Sequence, residues 1–244
     1  NNERDVGAML TFEPRTITNK LKFLRVNMGV FNGPGLSSTT DYDSHKDFIS
    51  QVLIKPQKLG KKVTLGGSAS IYLGGLSQNT QYIYNTEEVG AIKTYVVDSA
   101  LSNLQEIAPR KYYGADMQLV INNKVGLTQI RGEFITGTQT ASSTSSQTPG
   151  ASFTGTQGYY IRNFNGAYFY FLQNLWSIKH QLGIKYDWYD PNTFVKKTEI
   201  GAAGSNLNAA DVKYKTLGFG YLFYMNEHVK FVVWYEYIDN EVTT

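Results

Sequence analysis

Not one cysteine occurs in the 244-residue chain. That removes disulfides, thiolate metal sites and a cysteine nucleophile together. Proline is scarce, 6 residues against 23 glycines. No apolar run approaches the roughly 18 residues that a membrane-spanning helix needs, so a transmembrane helix is excluded. A closed β-barrel is then the only structure by which the chain crosses a membrane, because every backbone polar group must be paired within lipid. Neither sign of charge dominates. The net charge is +3, which implies no strong electrostatic partner such as nucleic acid. No signal peptide is visible, and Asn1-Asn2-Glu3-Arg4 reads as a mature or truncated start.

What the chain has in excess is tyrosine, 18 residues beside 13 Phe and 3 Trp. Aromatic rings of this kind favour extended structure and sites that are half apolar and half wet. The dominant signal is a period-2 alternation that recurs about ten times. In Val63 to Leu73, the residues Val63, Leu65, Ala69, Ile71 and Leu73 oppose Thr64, Ser68, Ser70 and Tyr72. Segments 20–31, 113–121 and 178–189 repeat the pattern. Each therefore forms a strand with one apolar and one polar face. Segments 4–14, 46–55, 125–136, 159–173, 212–225 and 228–239 fit less cleanly. In 46–55 the outward face is not fixed, and in 159–173 both faces are apolar or aromatic, leaving the register open.

The links alternate in length. Short ones fall near 15–19, 56–61, 123–124, 174–177 and 226–227; long ones near 32–45, 74–110, 139–157 and 190–211. Short periplasmic turns and long external loops are the habit of an outer-membrane barrel, whereas a soluble sandwich has no reason to alternate. The expected fold is all-β: a single transmembrane, antiparallel, up-and-down barrel domain over 1–244, with about ten strands present. The first strand then runs toward the periplasm and the last runs outward. An odd number of strands is expected before Asn1 and after Thr244, so the barrel is incomplete at both ends as given. Thr140 to Thr156 is rich in Ser, Thr, Gly and Gln, which suits a flexible loop. In 74–110, Val97, Leu101, Leu104 and Ile107 recur at helical spacing ahead of Pro109, which predicts a short amphipathic helix. That loop either packs on itself or folds into the barrel and narrows it. Glu87-Glu88 reads as a solvated loop tip.

Several stretches carry a family likeness: Glu3 to Met9, Gly29 to Gly35, Asp41 to Ile49, His180 to Trp188, Thr216 to Phe223 and Lys230 to Tyr237. Together these resemble the phosphate-selective porin O and P family over nearly the whole chain. The resemblance implies a 16-stranded barrel, often trimeric, that passes small anions such as phosphate.

Strand parity marks the residues that line the polar interior: Arg25, Asn27, Lys55, Asp116, Gln118, Arg131, Glu133, Lys179, Lys185, Asp187, Lys230 and Glu236. The cations and anions are nearly matched, which argues for weak ion preference at most. Tyr113, Trp176, Tyr186, Trp188, Tyr235 and Tyr237 are candidates for membrane-interface aromatics. His45, His180 and His228 lack a second ligand at metal spacing, so no metal or cofactor is expected. No nucleophile elbow, P-loop or dinucleotide fingerprint occurs, and the chain reads as a non-enzyme. His180 falls on the apolar face, where a belt residue is a better reading than a Ser–His site.

The expected function is an outer-membrane porin in a Gram-negative bacterium, a water-filled channel for small hydrophilic solutes or anions. Its surroundings would be the lipid bilayer and lipopolysaccharide, as a homotrimer or in a larger outer-membrane assembly. Two other readings stay open: a non-conducting barrel subunit or scaffold, and a soluble secreted β protein that binds carbohydrate.

Overall fold

A computed structural model of the chain describes residues 5–14, 20–33 and 44–241. In chain order the strands are β1 (Gly7–Phe12), β2 (Leu24–Phe31), β3 (Asp47–Lys58), β4 (Val63–Ser77), β5 (Ile83–Val89), β6 (Ile92–Asp98), β7 (Ile107–Asn122), β8 (Leu127–Ala141), β9 (Tyr159–Leu175), β10 (Ser177–Asp190), β11 (Tyr214–Tyr224) and β12 (Lys230–Ile238). All twelve belong to one sheet, and helix among the described residues is confined to three short 3-10 turns. Ten strands form an antiparallel meander in the order β1-β2-β3-β4-β7-β8-β9-β10-β11-β12. Each of the ten expected segments overlaps one of them. The expected link at 15–19 lies outside the described residues. So do 34–43 of the expected link at 32–45, and so do Glu3, Arg4 and residues 242–244.

Among the described residues, the short links lie at one end of the sheet and the long ones at the other. Tight connections follow β3, β7, β9 and β11. The tightest places Trp176 alone between β9 and β10, in the left-handed region with φ 53°. Its N–H donates to the carbonyl of Val125 at 2.6 Å, which ties two neighbouring turns together.

The 74–110 region corrects the sequence reading twice. The flanking strands run further than expected, so the link shrinks to 78–106. The amphipathic helix is absent. Val97 lies in β6, Leu101 opens a single 3-10 turn (Leu101–Asn103), and Ile107 starts β7. Gln105, at φ 68°, turns the chain out of any helix before Ile107. The segment instead forms the β5–β6 hairpin, with Val89 opposite Ile92. β5 also pairs in parallel with β9, Ile83 beside Tyr159 and Tyr84 beside Tyr160. At that height the β8 side of β9 is taken by Thr140 and Ala141, and β10 has ended at Asp190 opposite Asn165. The hairpin therefore occupies the edge that β10 leaves, where the backbone groups of β9 need partners.

The register resolves the ambiguous strand. Arg162, Phe164, Gly166, Tyr168, Tyr170 and Leu172 of β9 stand on the polar face; Asn165, Ala167, Phe169 and Phe171 stand on the other. Phe48, Val52 and Ile54 of β3 join the apolar face and Gln51 and Leu53 the polar one, up to a register shift between Ile54 and Gln57. The apolar face is charge-free over long stretches: Tyr113 to Ile121 on β7, His180 to Trp188 on β10, Leu217 to Phe223 on β11 and Phe231 to Tyr237 on β12 present no Asp, Glu, Lys or Arg to that side. It is also uncovered. Leu10 is 77%, Val233 73% and Tyr235 57% exposed.

Buried apolar side chains gather instead at the long-loop end. Tyr95, Val195, Ile200, Leu207 and Val212 form one cluster against Tyr84 and Tyr160. Leu76, Ala108 and Tyr159 form a second against Phe153 and Ile161. The long loops are thus packed bodies, with their own small cores.

Candidate functional site

The polar face is built in tiers, starting at the short-turn end. Glu13, just beyond β1, pairs with Arg25 of β2 at 3.0 Å and with Lys55 of β3 at 2.8 Å. The hydrogen bond from Lys55 and the Arg25 guanidinium hold the Glu13 carboxyl below its ordinary value of 4.5. A carboxylate whose pKa is lowered by folding stabilises the fold above the unfolded pKa, and that contribution is lost as pH falls through the folded value. Glu13→Gln is therefore expected to lower the urea midpoint at neutral pH and to leave it unchanged well below pH 4.5. Unfolding curves of both proteins across acid pH check this.

Above this tier a line of hydrogen bonds crosses five strands. The Thr11 hydroxyl donates to Asn27 (3.0 Å), the Asn27 amide to Gln51 (3.3 Å), the Gln51 amide to Ser68 (3.1 Å), and the Ser68 hydroxyl to Asp116.

Two transverse rows follow from the ladder register. One passes through Ser68, Asp116, Glu133, Tyr168, Asp187 and Thr216. The next, one step toward the short turns, passes through Gly66, Gln118, Arg131, Tyr170, Lys185, Gly218 and Glu236. The first row is acidic and the second mainly basic. Lys185 links them through Asp187 at 2.8 Å and reaches Glu236 at 3.8 Å. Arg131 donates to Gln129 at 2.8 Å. The rows border an open concavity of about 600 Å³.

The long-loop end is closed more tightly. Asp47 is fully buried; it accepts from the Tyr72 hydroxyl and the Gly75 N–H and lies 3.5 Å from Arg110. Gly74 faces this carboxylate so closely that a Cβ there would lie about 2.0 Å from it. Arg162 of β9 is 1% exposed and pairs with Asp211 at 2.9 Å. The carbonyl of Ser142 accepts from Arg162 (2.8 Å), and Asp211 also accepts from the Tyr95 hydroxyl and the Asn192 amide (3.0 Å). Burial holds the Tyr95 proton well above the ordinary tyrosine range. One ion pair thereby joins β9, the β5–β6 hairpin and the 142–158 and 191–213 links.

Arg25, Asn27, Asp116, Gln118, Arg131, Glu133, Lys185, Asp187, Lys230 and Glu236 all share the polar face. Lys55 sits at the β3 register shift, with its amine turned to Glu13 on that same side. Lys179 lies where the β9–β10 register breaks, between Ser177 and Gln181. The turn-end group Glu13–Arg25–Lys55 and the concavity group Arg131–Glu133–Lys185–Asp187 are each brought together. Lys230, opposite Tyr224, stands apart at the short-turn end. Tyr113, Tyr186, Trp188, Tyr235 and Tyr237 occupy the apolar face, and Trp176 is 84% exposed at its turn. His180 stays on that face with its ring stacked near Tyr221 and its Nδ1 against the Tyr221 hydroxyl. Glu87 and Glu88 lie on β5 beside the hairpin turn, Glu88 opposite Lys93.

Sequence reasoning missed Tyr168, Tyr170, Arg162, Asp211, Asp47 and Arg110. Tyr168 and Tyr170 were hidden by the two-sided aromatic pattern of β9. Asp47 lies in the segment 46–55, whose outward face the sequence leaves open, and Arg110 stands at a polar-face position of a strand end that runs past the expected boundary. Asp211 sits in a link with no periodicity, and nothing local marks it. Compared with family models, curated proteins and solved structures, the chain matches none of them.

Proposed function

We propose that the sheet is the wall of an outer-membrane barrel, with the apolar face against lipid and the polar face against a water-filled path for small hydrophilic solutes. The observation that carries this is the uncovered apolar face running across the ten meander strands, charge-free through its middle rows. Exposed apolar patches on water-soluble monomers rarely exceed a few hundred Å². The nine residues from Tyr113 to Ile121, charge-free on their apolar face, cover roughly 20–25 Å at about 3.3 Å per residue and a tilt near 40°. That agrees with the apolar band of about 25 Å on outer-membrane barrels. Tyr186, Trp188, Tyr235 and Tyr237 toward one rim, and Trp176, Tyr221 and His180 toward the other, suit the two interfacial girdles. In this reading the long links face outward, and lipid and lipopolysaccharide surround the barrel of a Gram-negative cell.

The matched charges of the polar face favour a general solute path with weak ion preference over a phosphate filter. A second reading, a non-conducting scaffold barrel, draws support from one feature: the long loops pack down onto Arg162 and cover the end of the polar face. Conductance decides between them. The protein reconstituted in planar bilayers is expected to give stepwise currents; well-inserted protein without current would support the scaffold. Arg131→Glu is expected to move the reversal potential toward cation permeability under a salt gradient. An unchanged potential would place Arg131 away from the conducting path.

A further inference from the structure

The two charged rows have an order that general permeation does not require. We infer that the concavity bordered by Arg131, Glu133, Tyr168 and Tyr170 is a subsite for short zwitterions, of about dipeptide length. The inference rests on the reading of the polar face as the wall of a solute path.

Arg131 and Glu133 are two residues apart on β8, so they share a face and lie about 7 Å apart along the strand. Both are exposed. Among the described residues, Arg131 has no carboxylate within ion-pair distance; its bond is to the neutral Gln129. Asp116 stands directly across from Glu133 and adds to the negative charge of that row. Lys185 stands across β9 from Arg131, in register with Tyr170, and adds to the positive row. The site thus presents a carboxylate pair nearer the long loops and cations one step nearer the short turns.

A divalent anion at Arg131 would meet Glu133 and Asp187, and a lone cation at Glu133 would meet Arg131 and Lys185. A molecule carrying both charges meets neither repulsion. An extended dipeptide spans at most about 7 Å, which matches the row spacing. Its ammonium would sit at Glu133, which borders the concavity, with Asp116 behind it on β7, and its carboxylate would receive the planar guanidinium of Arg131. Tyr168 and Tyr170 border both ends, and their rings are attracted to an ammonium or an amide plane. The concavity, about 600 Å³, admits such a ligand with water around it.

The test is calorimetric titration of the detergent-solubilised protein with glycylglycine, acetylglycylglycine and glycylglycinamide. The free zwitterion is expected to bind about tenfold or more tightly than either end-blocked form, the range that one charge-assisted hydrogen bond supplies. Each variant then has its own signature. Arg131→Gln is expected to bind glycylglycine and glycylglycinamide alike, and Glu133→Gln to bind glycylglycine and acetylglycylglycine alike. A folding defect would weaken all ligands together and would not equalise one pair. Equal binding of the three ligands by the unaltered protein, or no binding, would overturn the subsite. Because calorimetry needs no current, a barrel that conducts without discriminating refutes the subsite alone, whereas a barrel that binds without conducting refutes the solute path.

Discussion

Arg162→Ala is expected to release the long loops from the sheet. The substitution leaves Asp211, 1% exposed, without its counter-charge. Removing one partner of a buried ion pair costs about 3–5 kcal/mol, because the remaining charge stays desolvated and unpaired. Here the loss is spread over three loops, since the Ser142 carbonyl, the Tyr95 hydroxyl and the Asn192 amide all meet at this pair. The ten-strand ladder has its own backbone bonds and should survive, so the opening is local. Limited proteolysis should cut within 142–158 and 191–213 in Arg162→Ala under conditions that spare the parent. In the proposed pore the same variant should conduct more. Arg162→Met combined with Asp211→Leu removes both charges at similar volume, and such replacements are often neutral. The double variant should therefore resist protease better than the single one. Equal resistance of parent and Arg162→Ala would mean that the pair does not hold the loops.

Met117→Arg and Gln118→Arg, adjacent on β7, should differ sharply in cost. Met117 stands on the apolar face between Gly67 and Gly132, so an arginine there has bare sheet on either side and, in the proposed barrel, lipid in front. Arginine on the lipid face near the bilayer midplane costs about 2–4 kcal/mol. Gln118 faces the polar side opposite Arg131. A like charge there should cost under about 1 kcal/mol, the usual size of a cross-strand pair. Urea unfolding in phospholipid vesicles measures both. Equal costs for the two variants would remove the lipid from the account.

The periodic parts of this fold were legible in the chain, and the long-range parts were not. Leu24 to Val30, Val63 to Leu73 and Tyr113 to Ile121 each put a clean apolar row opposite a polar one, and the ladder keeps those rows in phase. Two-sided strands carry no such signal. Phe164, Tyr168 and Tyr170 face one way on β9 while Phe169 and Phe171 face the other, so only the pairing with β8 and β10 fixes the register. Val97, Leu101, Leu104 and Ile107 have helical spacing by coincidence of a strand end, a 3-10 turn and a strand start. The free edge of β9 drew the segment into a hairpin, and no local residue reveals that edge. The charged residues of the two rows were found by parity, but their order in rows depends on the stagger between strands. Tyr95 and Asp211 are 116 residues apart and meet only because two loops fold over one strand.

The absence of cysteine suits a direct test of the central claim, that lipid covers one face of the sheet and water the other. Single cysteines placed in turn from Leu182 to Trp188 on β10 can carry a fluorophore without prior removal of native thiols. In vesicles, labels at positions 182, 184, 186 and 188 should be quenched by lipid-attached quenchers and shielded from iodide, while labels at 185 and 187 should respond to iodide. Strict alternation over these residues is the expected result. Iodide quenching at both parities would contradict it and return the chain to the water-soluble β proteins.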